Sequence, residues 1–318
     1  MLRNPWTHKN IKLFFYLNGA WYELLKQLGW RRHLKTGLRH LKRFDPEIVQ
    51  QRLAYYNKVN ETFVPDEGTR IADLTLPRKN KAYYFDLIRY THYFSPYYTI
   101  NFQFGDVTQI PDRPTLVKSR PISGNITNAV LFKFNSIRHF TFTKDSIPYR
   151  KKKNLLIGRS NVKQEHRRAF FRMYFAHPLC DLGQINRGTS HDHWLKKKIS
   201  INEHLTYKFI LCQEGNDVAS NLKWVMSSNS LAVMPPPKYE TWFMEGTLQP
   251  NVHYVAIRED YSDLEERLTY YLDHEAEALK IIQNANEYVK RFRNSKLEKT
   301  LSLLVLEQYF LNSGQGAT

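Results

Sequence analysis

The second half of this chain alternates between two kinds of segment. Short apolar runs at 155–157, 207–211, 230–234 and 253–257 are separated by polar turns and by stretches of helical character at 164–175 and 221–228. Strands that alternate with helices are joined by crossovers, and crossovers yield a mostly parallel sheet with helices on its faces. Three consecutive prolines, Pro235, Pro236 and Pro237, end the third run, because proline has no N–H to give to a strand ladder.

The first half is less regular. Runs at 98–102, 115–117, 130–134 and 139–142 read as further strands, the first ending in the turn Gly105-Asp106. Asp45 followed by Pro46 reads as an N-cap and first helical residue. From Ser262 the pattern is helical to Arg293. Ser262 and Glu265 have capping-box spacing, and a last helix is expected at 296–310. The basic run that starts at Arg150 is the natural connector, giving two expected domains, 1–150 and 151–318. Near the start, Trp21, Leu24, Leu25, Leu28, Leu34, Leu38 and Leu41 recur at three- and four-residue steps. Lys26, Arg31, Arg32, Lys35, Arg39, Lys42 and Arg43 lie between them. That predicts one or two amphipathic helices broken near Gly29. Such helices either lie in a membrane interface or pack on the body with a basic face in solvent.

The 318 residues carry a net charge of +17, which attracts polyanions: nucleic acid, anionic lipid or a phosphorylated glycolipid. Charge alone does not choose among them. Cys180 and Cys212 have neither zinc nor disulfide spacing, which fits a reducing compartment. No apolar run reaches the 18 or so residues of a membrane span, and Ile11 to Leu17 makes a poor signal peptide. The expectation is a soluble or peripheral cytoplasmic protein. Phosphate-loop, dinucleotide, zinc-protease and nucleophile-elbow motifs are missing.

Three places could carry chemistry. The segment 213–220 lies between a strand and a helix, where open α/β sheets bind ligands. Gly215 would allow close backbone approach, Ser220 would cap the helix or meet a phosphate, and Lys223 adds charge one turn in. An ordinary helix cap is the alternative. Gly158-Arg159-Ser160 also follows an apolar run, and Arg159 would pair with a phosphate or form a surface salt bridge. Asp106 is a strand-end carboxylate able to accept a proton, or simply a turn residue. Lys118, Arg120, Arg138 and His139 would bind an anionic acceptor or pair with acids. Arg167, Arg168 and Arg172 read as a helix flank. His191, Asp192 and His193 read as a polar loop rather than a metal site, and no DxD triplet is present.

Several segments together resemble glycosyltransferase family 90, in its bacterial lipopolysaccharide-core branch. They are Phe104-Gly-Asp-Val-Thr-Gln-Ile-Pro111, Val117-Lys-Ser-Arg-Pro121, Ile157-Gly-Arg-Ser160, the block from Tyr207 to Lys223, Glu240-Thr-Trp-Phe-Met244 and Leu248 to Val255. The resemblance covers roughly residues 95–290. It implies an α/β GT-B architecture, with two Rossmann-like domains facing across a cleft and a helical C-terminus. It also implies a UDP-sugar donor, UDP-glucose or UDP-galactose, and an inverting, metal-independent single displacement with no cofactor. Asp106 falls on the general-base position. Arg159, Ser160, Lys208, Gly215, Val218, Ser220, Lys223 and Glu240 fall on the donor side, although Asn221 stands where an arginine is usual. The implied acceptor is lipid A–core oligosaccharide at an anionic membrane surface, on the inner face of the bacterial inner membrane, with no nucleic acid partner. A nucleic-acid-binding protein and a non-catalytic scaffold are the alternatives.

Overall fold

The computed structural model describes residues 11–29, 32–188 and 192–316. Its strands run in chain order β1 (Thr69–Arg70), β2 (Thr99–Ile100), β3 (Phe102–Gln103), β4 (Thr115–Val117), β5 (Ser119–Pro121), β6 (Ala129–Leu131), β7 (Lys153–Ser160), β8 (Cys180–Gln184), β9 (Tyr207–Leu211), β10 (Leu231–Met234), β11 (Tyr239–Thr241) and β12 (Val255–Ala256). The fold is mixed α/β with parallel sheets.

The C-terminal half holds a five-stranded sheet in the order β12-β10-β9-β7-β8, with every neighbouring pair parallel. Strands β9 and β10 are buried along their whole length, as a sheet covered on both faces requires. One face packs against the Glu165–Tyr174, Leu264–Asp273 and Glu275–Lys290 helices through Phe170, Phe171, Leu268 and Ile281. From β7 the chain steps outward to β8, then crosses back to place β9 on the other side of β7. The carboxyl ends of β7 and β9 therefore form a topological switch point, where adjoining crossovers diverge and leave a crevice.

The N-terminal half holds a smaller parallel sheet, β3-β4-β6, and the antiparallel pair β1-β2. Its three parallel strands are only two or three residues long. The expected strand at 139–142 is absent: Asn135 adopts a left-handed conformation and starts the short Ser136–His139 helix instead. Residues 159 and 160, expected in a turn, extend β7. The helix expected at 221–228 covers only Leu222–Val225. Ser262 lies outside the helix it was expected to cap, which begins at Leu264 and gives way at His274 to the Glu275–Lys290 helix. Asp45 does cap the Pro46–Tyr56 helix, accepting from the Glu47 N–H at 2.9 Å.

Two features join the halves. Strand β5 pairs antiparallel with β11, setting Arg120 opposite Glu240, and the two side chains form an ion pair at 2.8 Å with 0% and 2% exposure. The other Arg120 N–H groups donate to the Tyr55 carbonyl at 2.7 Å and the Ala129 carbonyl at 2.9 Å. Tyr55 donates its hydroxyl to Glu240. The last helix, Ser295–Asn312, returns to the N-terminal half, where Tyr309 Oη accepts from the Asn101 N–H and Glu298 binds Arg52 at 2.7 Å and Lys133 at 2.5 Å. One hydrophobic cluster consequently runs through both halves, from Phe15 to Phe310.

Breaking a buried ion pair on one side leaves an uncompensated charge in the core. Arg120→Met should therefore lower unfolding free energy by about 3–5 kcal/mol in urea titration. The Arg120→Met/Glu240→Met pair should recover part of that loss.

Candidate functional site

A cavity of about 730 Å³ opens at the switch point, a volume typical of small-molecule sites. Its lining follows from the topology, because the residues just past the strand carboxyl ends supply most of it. Gln164 and His166 come after β7, Cys212 to Asn216 after β9, Pro235 to Lys238 after β10, and Glu259 and Tyr261 after β12. The N-terminal half contributes Asp106 and Thr108 from the loop after β3. Gly105 takes a φ of +116°, a conformation that glycine adopts without strain, and so turns the chain to present Asp106. Tyr261 is left-handed at φ +66° and buried. Such a position is costly for a bulky residue, and this one places its side chain on the cavity wall.

Across the cavity mouth the halves meet through charge. Lys118, 3% exposed, lies between β4 and β5. Its ammonium pairs with Asp106 from its own half and with Asp217, at 2.6 Å, from the loop after β9. Asn216 adds a bond from Nδ2 to Asp106 Oδ2 at 3.2 Å. Burial alone would raise the Asp106 carboxyl, but the Lys118 hydrogen bond and charge override it and hold that group below the usual carboxylate range. Asp217 shares the same lysine yet is more deeply buried, and its pKa is raised. Asp106 is thus the ionised acid exposed to the cavity, with a 35% exposed side chain.

The loop after β9 is held rigidly. Arg167 Nε donates to the Glu214 carbonyl at 2.8 Å and its Nη2 to the Gln213 carbonyl at 3.0 Å. Gln164 Nε2 donates to Asn216 Oδ1 at 2.9 Å. Arg167 therefore pins the loop rather than merely flanking a helix. Glu214 Oε1 accepts from the N–H groups of Lys238 and Tyr239, at 2.9 and 3.2 Å. Burial dominates these bonds and pushes the Glu214 carboxyl up to about 7, so near neutrality it can donate as well as accept toward a bound hydroxyl or carbonyl.

The structure brings together only part of the expected set. Asp106, Gly215 and Val218 line the cavity. Arg138 is exposed, and its charge helps to depress Asp106. Lys118 holds the carboxylate instead of facing an open acceptor site. The others lie off the lining. Arg159 donates to the Asp181 carbonyl at 2.6 Å and its carboxylate at 2.8 Å, and Ser160 sits in β7 beside Gln184. The Lys208 ammonium lies over the Tyr149 ring, 4.7 Å from its centre. Ser220 is exposed and outside the cavity. Lys223 is wholly buried against Glu245 at 2.7 Å, and it is Glu245 that reaches the wall. Arg120 and Glu240 bind each other. His139 is buried with its pKa far below normal, from burial and from the charges of Lys118, Lys223 and Arg138. Because the Leu222–Val225 helix has four residues, its dipole has little to offer an anion. His191 lies outside the described residues. Asp192 and His193 fall in a short 3-10 turn. Among the described residues no group of three or more His, Cys, Asp or Glu could hold a metal ion.

Sequence reasoning included Glu214 and Asp217 in the candidate segment 213–220 without giving either a role, and passed over Pro235–Lys238, Glu259 and Tyr261 as site residues. The rule that drew attention to the loop after β9, ligand binding beyond strand ends, applies equally after β10 and β12. The triple proline marks the first of those places.

The sequence profile of glycosyl transferase family 90 matches residues 138–309. O-glucosyltransferase LpsA of Dichelobacter nodosus is 40% identical over 304 residues, covering 94% of this chain and 95% of that protein. Protein O-glucosyltransferase 2 of Danio rerio is 30% identical over 96 residues, covering 30% of this chain and 19% of that protein. Uncharacterized protein 027R of Frog virus 3 is 38% identical over 79 residues, 24% of this chain and 8% of that protein.

Removal of the lysine that depresses Asp106 should raise that carboxyl. Any reaction that needs Asp106 ionised should then lose activity at a higher pH than in the wild type. The expected result for Lys118→Met is an acid limb of the kcat/KM profile displaced upward in pH.

Proposed function

The chain belongs to glycosyl transferase family 90, and on that premise we propose that it transfers a hexosyl unit, glucose by preference over galactose, from a UDP-sugar to a hydroxyl of a lipopolysaccharide core acceptor. The observation that carries this reading is the ionised Asp106 on the wall of a cavity built at the switch point of a parallel sheet. The Dichelobacter nodosus relative is named an O-glucosyltransferase, which favours glucose. The two sheets that share the cavity are read as a reduced GT-B pair, divided near residue 150.

In this mechanism Asp106 takes the proton from the acceptor hydroxyl as its oxygen bonds to the anomeric carbon. The bond from that carbon to the UDP oxygen breaks, and configuration inverts. Lys118 keeps Asp106 ionised before attack and stays shared with Asp217 as Asp106 becomes neutral. A base already ionised at low pH is a modest proton acceptor, so positioning of the hydroxyl must supply much of the rate. The diphosphate is read as lying along the Gly215–Ala219 turn near His166, and the nucleoside against Pro235–Lys238 and Tyr261. Glu214 is read as meeting a ribose or sugar hydroxyl. Metal independence is part of the proposal, checked by assay in EDTA.

Asp106→Asn should reduce kcat by roughly 10²–10⁴-fold, while UDP-glucose still raises the melting temperature through mass action. Near wild-type turnover in Asp106→Asn would remove Asp106 from the mechanism. No thermal shift of the wild type by any UDP-sugar would remove the donor assignment.

A further inference from the structure

The Lys12–Gln27 helix is amphipathic in an unusual sense. Its inward face is formed by Phe15, Gly19, Tyr22, Glu23 and Lys26, and three contacts fix its rotation. Gly19 lies against the Phe85 ring so closely that any Cβ would collide with it. Tyr84 donates its hydroxyl to Glu23 Oε2 at 2.5 Å, and Lys26 donates to the Leu74 carbonyl. The outward face is not the basic one expected of a solvated helix. It is a stripe of Leu13, Leu17, Trp21, Leu24 and Leu28, spaced by four, four, three and four residues, with Phe14 and Tyr16 beside it. Leu13, Leu17, Trp21 and Leu28 are 57–72% exposed. These seven account for seven of the sixteen large apolar side chains exposed among the described residues, and the other nine are spread from Ile48 to Leu311. A contiguous apolar stripe of this kind marks an interaction surface.

We propose that this face docks on an anionic lipid bilayer. Charge selects that occupant. Lys12 on the helix and Arg32, Lys35, Arg39, Lys42 and Arg43 in the stretch that follows it are exposed cations, within a chain of net charge +17. A second copy would bring two chains of net charge +17 against each other, whereas an anionic surface neutralises that charge. The helix is about 24 Å long at 1.5 Å per residue, shorter than the ~30 Å hydrocarbon core, and it is tied to the body by its inward face. It therefore lies in the plane of the interface, with Leu side chains among the acyl chains and Trp21 near the headgroups. The inference deepens the proposed function and rests on it only for its purpose, the delivery of a membrane-borne acceptor. The docking itself is testable without donor or acceptor.

The test is co-sedimentation of the full chain with phosphatidylglycerol/phosphatidylcholine vesicles and with pure phosphatidylcholine vesicles, alongside sedimentation velocity without lipid. Binding to the anionic vesicles, weakened by salt, is expected. It should fall at least tenfold in Leu17→Glu/Leu24→Glu, whose changes lie on the exposed stripe and leave the inward contacts intact. Lys35→Glu/Arg39→Glu/Lys42→Glu should bind more weakly and with less dependence on salt. Far-UV circular dichroism and the UDP-glucose thermal shift should be unchanged in both variants. Wild-type protein remaining in the supernatant with both vesicles would overturn the proposal. So would equal binding by Leu17→Glu/Leu24→Glu, or a dimer that this variant dissolves. Retained vesicle binding by a protein that shows no transfer would leave the docking standing and reject the transferase reading.

Discussion

One buried charge pair holds the two halves of this protein in register. Arg120 and Glu240 sit opposite each other where β5 meets β11, and neither reaches water. Two charges taken out of water together are tolerated only in close, fully bonded geometry, so the pairing admits little sliding of one strand along the other. Lys118 lies two residues before Arg120. Fixing the strands fixes where its ammonium stands, which is between an acid of each half. The site's electrostatics are a consequence of how the halves are joined.

The cavity shows the same dependence. Its floor is the switch point of the larger sheet, which a five-strand parallel order with one reversal creates irrespective of side chains. What makes it a chemical site is the reach of the smaller half across it. Asp106 comes from a short sheet that could not by itself enclose a ligand, and Asn216 and Asp217 come from the loop that Arg167 secures. An acid held ionised at Asp106 and a raised carboxyl at Glu214 give the cavity one group that accepts protons and one that can donate them.

Much of the larger sheet could be read from sequence because its inner strands are continuous apolar runs. Strand β8 escaped notice for the opposite reason: it lies at the edge, and Asp181, Gly183 and Gln184 break any apolar signal. The run at 139–142 resembled a strand by composition, yet the left-handed Asn135 redirects the chain. The candidate site was legible where a loop follows an obvious strand, as at Gly215 and Val218. Individual cations were not. Lys118 meets Asp217 across about a hundred residues, Lys223 meets Glu245, and Arg159 meets Asp181, pairings that no local spacing encodes. A basic residue beside a phosphate-binding type of loop looks the same in sequence whether it faces a ligand or a neighbouring carboxylate.

The return of the Ser295–Asn312 helix also bears on how the molecule is made. Tyr309 and Asn312 hydrogen-bond to Asn101 and Val59, and Glu298 neutralises Arg52 and Lys133. During synthesis the amino-terminal half leaves the ribosome long before these partners exist. Its core is complete only once the Ser295–Asn312 helix has been translated and docked, so its final packing does not precede that of the carboxy-terminal half. A ribosome that stops shortly before the final helix would release a chain missing its keystone, with the exposed surface that chaperones recognise.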